Sequence, residues 1–113
     1  MKIINKNRGT IIADSCMEAN TFARRFLGLM GKKTLPEGSG LIIKPCNSIH
    51  MFFMRIPLDV IFIDKSNKVI YTIEDFKPWR VSKIVRGAVC TIELPIGALK
   101  RSRTSIGDML ELV

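Results

Sequence analysis

Cys46, His50 and Met54 recur at intervals of four residues, and Asp59 follows shortly after. Thiolate, imidazole and thioether are soft or borderline metal ligands. His50 is the only histidine, so imidazole acid–base chemistry near neutral pH would have to use it. Cys46 or Cys90 activated by His50, with Asp59 orienting the ring, would be the machinery of a thiol hydrolase.

Spacing weighs against a shared ion. Residues 48–54 read as a β-strand, where four residues advance about 13 Å, so the three side chains share a face without meeting. No metal and no cofactor are expected. Asp59 lies in alternating sequence that sends Leu58, Val60 and Phe62 to one side and Asp59, Ile61 and Ile63 to the other. Its carboxylate therefore sits among apolar groups and needs a donor, for which Arg55, Arg86 or a backbone amide after Pro57 are available. Glu93 and Asp108 are also acids in strand-like sequence, read as an outward-facing residue and a turn closure. Met51 and the Phe residues beside it read as ordinary core rather than a pocket lining.

The elements that must position these residues begin with a hairpin, residues 2–5 and 10–14 about an Asn-Gly-containing turn. Residues 19–30 then show apolar positions at Phe22, Ala23, Phe26, Leu29 and Met30, an amphipathic helix with Ser15 or Asn20 as its cap and Gly31 at its end. Residues 34–40 are a loop. Strands are predicted over 41–44, 48–54, 58–64, 68–74, 88–94 and 108–112, with a hairpin turn at 64–67. Residues 77–87 are a basic irregular segment, and 95–105 a connection with a helical turn. The fold expected is α+β and β-rich: a single domain over 1–113 with a barrel-like, mostly antiparallel sheet and one main amphipathic helix.

Composition sets the outer limits. At 113 residues the chain buries roughly 65% of its unfolded surface, enough for one core. An apolar fraction of 47% and a mean hydropathy of +0.20 exclude a disordered chain. No apolar run reaches the ~20 residues of a membrane span. The N-terminus lacks a signal-peptide core, and three cysteines without a Cys-x-x-Cys pair point to a reducing compartment, so a cytoplasmic location is expected. Eighteen Lys and Arg against ten Asp and Glu give +8. The densest groups are Arg80, Lys83 and Arg86, and Lys100, Arg101 and Arg103, the candidate contacts for an anionic partner.

Four words in order carry a resemblance: Arg25-Phe26-Leu27-Gly28-Leu29-Met30; Met54 followed by Pro57-Leu58-Asp59-Val60-Ile61-Phe62; Ile92-Glu93-Leu94-Pro95-Ile96-Gly97; and Ile106-Gly107-Asp108. Together they resemble the domain of unknown function 192, also called uncharacterised protein family UPF0127, over nearly the whole chain from Thr10. Pro45-Cys46-Asn47-Ser48-Ile49-His50 is similar to one subgroup. The resemblance implies a β-rich fold and no established activity. The function expected is a small non-catalytic binding or accessory module, with a candidate site near Cys46, His50, Met54 and Asp59 and a protein or anionic partner. A cysteine-dependent enzyme and a nucleic-acid or anionic-surface binder stand as alternatives.

Overall fold

The computed structural model describes residues 1–21, 24 and 28–113. Among these residues, eight strands form two sheets. The first, of three strands in the order β2-β1-β8, joins β1 (Ile3–Asn5), β2 (Thr10–Ala13) and β8 (Leu110–Leu112). The second has the order β3-β4-β7-β5-β6, from β3 (Ser15–Ala19), β4 (Ser39–Ile43), β5 (Leu58–Ile63), β6 (Val69–Phe76) and β7 (Cys90–Pro95). A short helix, α1 (Ala98–Ser102), lies between β7 and β8. All pairings are antiparallel except β3 with β4.

The β-rich α+β class is as expected, but the strands do not close into one barrel. The two sheets remain open and pack face to face, with their edges joined where the Cys16 N–H donates to the Met1 carbonyl and an isolated bridge links Lys68 with Met109. The larger sheet is covered on both faces, which is why β5 and β7 are buried at every position. On one face Ile42, Ile61, Ile63, Ile92 and Leu94 pack on Ile3, Ile12, Leu99 and Leu110. On the other Leu41, Leu58, Val60 and Phe62 pack on Leu29, Ile49, Met51, Met54 and Val85. The alternation read along 58–64 assigns these faces correctly, and burying an Ile, Leu or Phe contributes about 1.5–3 kcal/mol each.

The hairpin turn between β5 and β6 is built by Asp64, whose carboxylate accepts the N–H groups of Ser66 and Lys68 at 2.9 and 3.0 Å. Those bonds, the one from Lys68 first, hold the Asp64 carboxyl below its ordinary range.

Two elements differ from expectation. Residues 48–54 form no strand; an isolated bridge links His50 with Val81, and the segment loops back on itself where Phe53 adopts a left-handed conformation (φ 62°). The predicted helix over 19–30 falls largely on Phe22, Ala23, Arg25, Phe26 and Leu27, which lie outside the described residues. Of the two caps expected for it, Ser15 is ruled out, since it opens β3 (Ser15–Ala19). Thr21 instead accepts the Arg24 N–H at 3.2 Å.

Candidate functional site

The acids of the recurring words divide sharply. Asp59 is fully buried on the β5 face that meets α1. Its Oδ2 accepts the N–H groups of Gly97 and Leu99 at 3.1 and 3.0 Å, and its Oδ1 that of Asp75 at 2.9 Å. Gly97 is the residue before α1 and has no side chain with which to cap it, so a carboxylate from the sheet supplies the acceptor. Asp75 stands at a β6 irregularity opposite Asp59, with φ 54°, and its amide is satisfied by the same group. The donors are thus backbone amides, not Arg55 or Arg86.

Asp108 is likewise occupied. It accepts from the Asn5 side-chain amide (3.0 Å), the Ser105 N–H (3.0 Å) and the Arg8 guanidinium (3.3 Å). Burial pushes its carboxyl up, but these donors outweigh burial and hold it below the ordinary value.

Glu93 is the exception. It lies in the middle of β7, between Leu41 of β4 and Val60 of β5, and is only 4% exposed. Among the described residues nothing donates to its buried Oε1. Burial pushes its carboxyl from 4.5 to about 7. Gly28 lies beside the carboxyl; a Cβ added there would stand at ordinary contact distance, 3.5 Å from Oε1 and 3.9 Å from Oε2.

The sequence-selected set of Cys46, His50, Met54 and Asp59 separates in space. Met54 is buried in the core on the Val60 face, while Asp59 serves the opposite face. Cys46 is half-buried; its Sγ donates to the Ser48 carbonyl at 3.1 Å, and its N–H to the Val89 carbonyl at 3.1 Å. Cys16 and Cys90 are buried and free, and burial above all raises both thiols, Cys90 to about 12. Among the described residues no three His, Cys, Asp or Glu side chains gather as metal ligands would.

His50 belongs to a different assembly. Residues 46–51 and 79–89 are laced as an irregular antiparallel ribbon. Val85 donates to Asn47 (2.8 Å), Ser82 to Ile49 (2.8 Å), Met51 to Arg80 (2.6 Å) and Trp79 to Met51 (2.6 Å) through their backbones. At the end of this ribbon, Met51 to Met54 make a turn in which the two Met side chains are buried and Phe52 and Phe53 project. Phe53 contacts Trp79 with ring centroids 4.9 Å apart, Phe52 reaches Trp79 at 6.2 Å, and His50 stacks on Phe52 at 5.2 Å. The Phe52 N–H donates to His50 Nδ1 at 3.2 Å, so the imidazole orients the turn.

Phe53 and Trp79 are 61% and 59% exposed, and both have left-handed backbones, with φ of 62° and 70°. Glycine or asparagine normally fills such positions; a bulky aromatic there costs of order 1 kcal/mol with little burial to offset it. Arg55, Lys77 and Arg80 are exposed close by in sequence, and the Gly31 N–H donating to the Phe53 carbonyl (3.1 Å) brings the Lys32-Lys33 pair alongside. Sequence reading missed this tip because Phe52 and Phe53 look like core. The available signal was Trp79, isolated between Lys77-Pro78 and Arg80 in polar sequence.

The other basic candidates are dispersed. Lys83 lies 4.3 Å over the Tyr71 ring. Lys100 pairs with Glu74 and Arg101 with Glu37, while Arg103 donates to the Arg8 carbonyl at 3.4 Å. Arg86 is exposed on the loop before β7.

Comparison with known proteins follows the same outline. The model of family DUF192, described as Uncharacterized ACR, matches residues 3–112. A UPF0127 protein of Thermococcus sibiricus is 34% identical over 113 residues, covering 96% of this chain and 73% of its own. Another from Pyrococcus furiosus is 34% identical over 114 residues, with 96% of each chain covered. The crystal structure of a protein of unknown function from Novosphingobium aromaticivorans superposes with a TM-score of 0.85 at 21% identity, covering 98% of this chain and 82% of that one. At that identity the likeness is one of fold.

Proposed function

The chain belongs to the DUF192 family of uncharacterised proteins, and on that premise we propose that it is a non-catalytic binding module of one domain, residues 1–113, whose aromatic tip docks on an anionic bilayer surface. The observation that carries this reading is the contact between Phe53 and Trp79, two exposed rings held out by left-handed backbones on loops otherwise tied together. Strain of this kind, kept where burial does not reward it, belongs with function rather than with folding.

The shape and charge of the tip favour a bilayer. Its rings are tilted 42° and 59° against Trp79, packed on one another instead of offering parallel faces to successive bases. Phe and Trp side chains suit the headgroup boundary, and Arg55, Arg80, Lys32 and Lys33 meet anionic lipid at about 1 kcal/mol each near the surface. No helix among the described residues is long and apolar enough to cross a membrane, and docking from one side needs none. Three free cysteines fit a cytoplasmic location, facing the anionic leaflet. The raised Cys16 and Cys90 thiols, and an Asp59 committed to amides, weigh against a thiol hydrolase.

Co-sedimentation with phosphatidylglycerol-containing vesicles, beside pure phosphatidylcholine vesicles, tests the reading. Binding to the anionic vesicles only, weakened by salt and by Phe53→Ala, is the expected result. Absence of binding at low salt overturns it. Binding to mixed oligonucleotides abolished by charge reversal at Arg101 and Arg103, without vesicle binding, replaces it with the nucleic-acid alternative.

A further inference from the structure

The ribbon that carries the tip presents more than its end. Ile49 and Met51 are buried in the core, so His50 between them faces away from it. His50 and Val81 form the bridge at which Met51 donates to Arg80 and Ser82 to Ile49. This is an antiparallel pair without hydrogen bonds of its own, the kind whose side chains stand close together on one face. Contacts then run unbroken from Phe53 to Trp79, Trp79 to Phe52, Phe52 to His50 and His50 to Val81. Val81 is 59% exposed and Ile84, three residues on, 69%. Apolar exposure therefore continues along the ribbon beyond its aromatic end.

Charge is segregated along the same element. Residues 46–55 and 77–89 hold Arg55, Lys77, Arg80, Lys83 and Arg86 and no Asp or Glu. Among the described residues only Lys77 of these makes an ion pair, with Asp75, and Lys83 stays exposed although it lies over the Tyr71 ring. Lys83 and Arg86 stand four and seven residues past Trp79, as much as about 13 and 23 Å along an extended chain. Contact through the tip alone would hold both farther from the lipid phosphates than the screening length of about 8 Å at physiological ionic strength, where their attraction fades. Contact along the ribbon lets them act within that length.

We propose that the anionic bilayer is met by the outer face of the whole ribbon, from Phe53 through Val81, lying along the membrane plane. This orientation rests on bilayer docking by the tip and adds to it how the bound protein lies and which residues set the pose. Phe52, Phe53 and Trp79 enter the headgroup boundary, Val81 is covered in the same contact, and the cations of the ribbon face lipid phosphates. The ribbon's charge selects this occupant. An apolar face alone would suit many partners, but one carried on an element with cations and no acids is complementary to a continuous layer of negative headgroups.

Two measurements on bilayers of phosphatidylglycerol and phosphatidylcholine test the orientation. In vesicle co-sedimentation, Val81→Ser is expected to bind about tenfold more weakly than wild type, as the loss of an apolar side chain covered on docking requires. In nanodiscs that include a gadolinium-chelating lipid, the wild-type amide signals of Val81 and Ile84 are expected to broaden as strongly as that of Phe53. Wild-type binding that Val81→Ser leaves intact overturns the orientation while bilayer docking stands, and so does broadening that fades from Phe53 toward Val85. Absence of wild-type binding at low salt overturns both together. The broadening is read on wild type, so it decides the matter even if the variant fails to fold.

Discussion

Asp59 caps Leu99 across 40 residues of chain, its carboxylate accepting at 3.0 Å an amide that α1 cannot satisfy for itself. The same carboxylate holds Gly97 and Asp75, so one side chain fixes the start of a helix and the irregularity of a strand. It is a structural keystone, which removes it from the catalytic roles open to it in the sequence.

Replacing Asp59 with Ala leaves three amides without their acceptor and should lower stability by about 3–5 kcal/mol. Urea unfolding followed by circular dichroism measures this directly. A loss under about 1 kcal/mol would show that water or a rearranged α1 replaces the carboxylate.

Glu93 and Asp108 should tilt the pH dependence of stability in opposite directions. The Glu93 carboxyl rises from 4.5 to about 7 on folding, so the folded state binds the extra proton. Its unfavourable contribution is absent below the unfolded value, grows between 4.5 and 7, and is complete above, at about 3 kcal/mol. Asp108 is lowered on folding; its contribution is present above its ordinary value of 3.8 and is lost as pH falls through the folded value. Urea midpoints across this range should flatten above pH 4.5 in Glu93→Gln and flatten in acid in Asp108→Asn. An unchanged slope in either variant contradicts the corresponding assignment.

The cysteines should be slow. A Cys90 thiol pushed from 9.0 to about 12 holds about a thousandfold less thiolate than an unshifted one at neutral pH. Iodoacetamide labelling of native protein, read by mass spectrometry, should therefore leave Cys90 and buried Cys16 unmodified until denaturant is added. Rapid native labelling of Cys90 would return the thiol-enzyme alternative to consideration.

Phe53→Gly and Trp79→Gly should separate folding from docking. Each relieves a left-handed backbone while adding freedom to the unfolded chain, so stability should stay within about 1 kcal/mol of wild type. Vesicle binding should nevertheless fall about tenfold or more, as the loss of an aromatic side chain that becomes buried on docking requires. If binding survives both changes, the tip is not the docking surface.

What the sequence made legible follows the strength of local pattern. The faces of β5 could be read residue by residue, because period-two alternation acts within the strand itself. Residues 48–54 share the β-prone composition but not the pairing; Met51 bonds to Arg80 and Trp79, partners that local pattern cannot supply. Ser15 to Ala19 went unrecognised because β3 is an edge strand with Met17 and Glu18 exposed, and its polar pattern merges with the helical one that follows. An acid within an apolar strand reads equally as outward-facing or buried, so the isolation of Glu93 emerges only from the elements that cover it.

β1 lies between β2 and β8, and its register with β8 pairs Ile3 with Leu112. β1 therefore has one edge that only a strand far along the chain, β8, can complete. Folding of the smaller sheet must await β8, and on refolding the closure of this long loop favours milliseconds to seconds over the microseconds of local topologies. Until then the nascent chain carries an unpaired strand edge, which makes its early life the period of greatest exposure to misassociation.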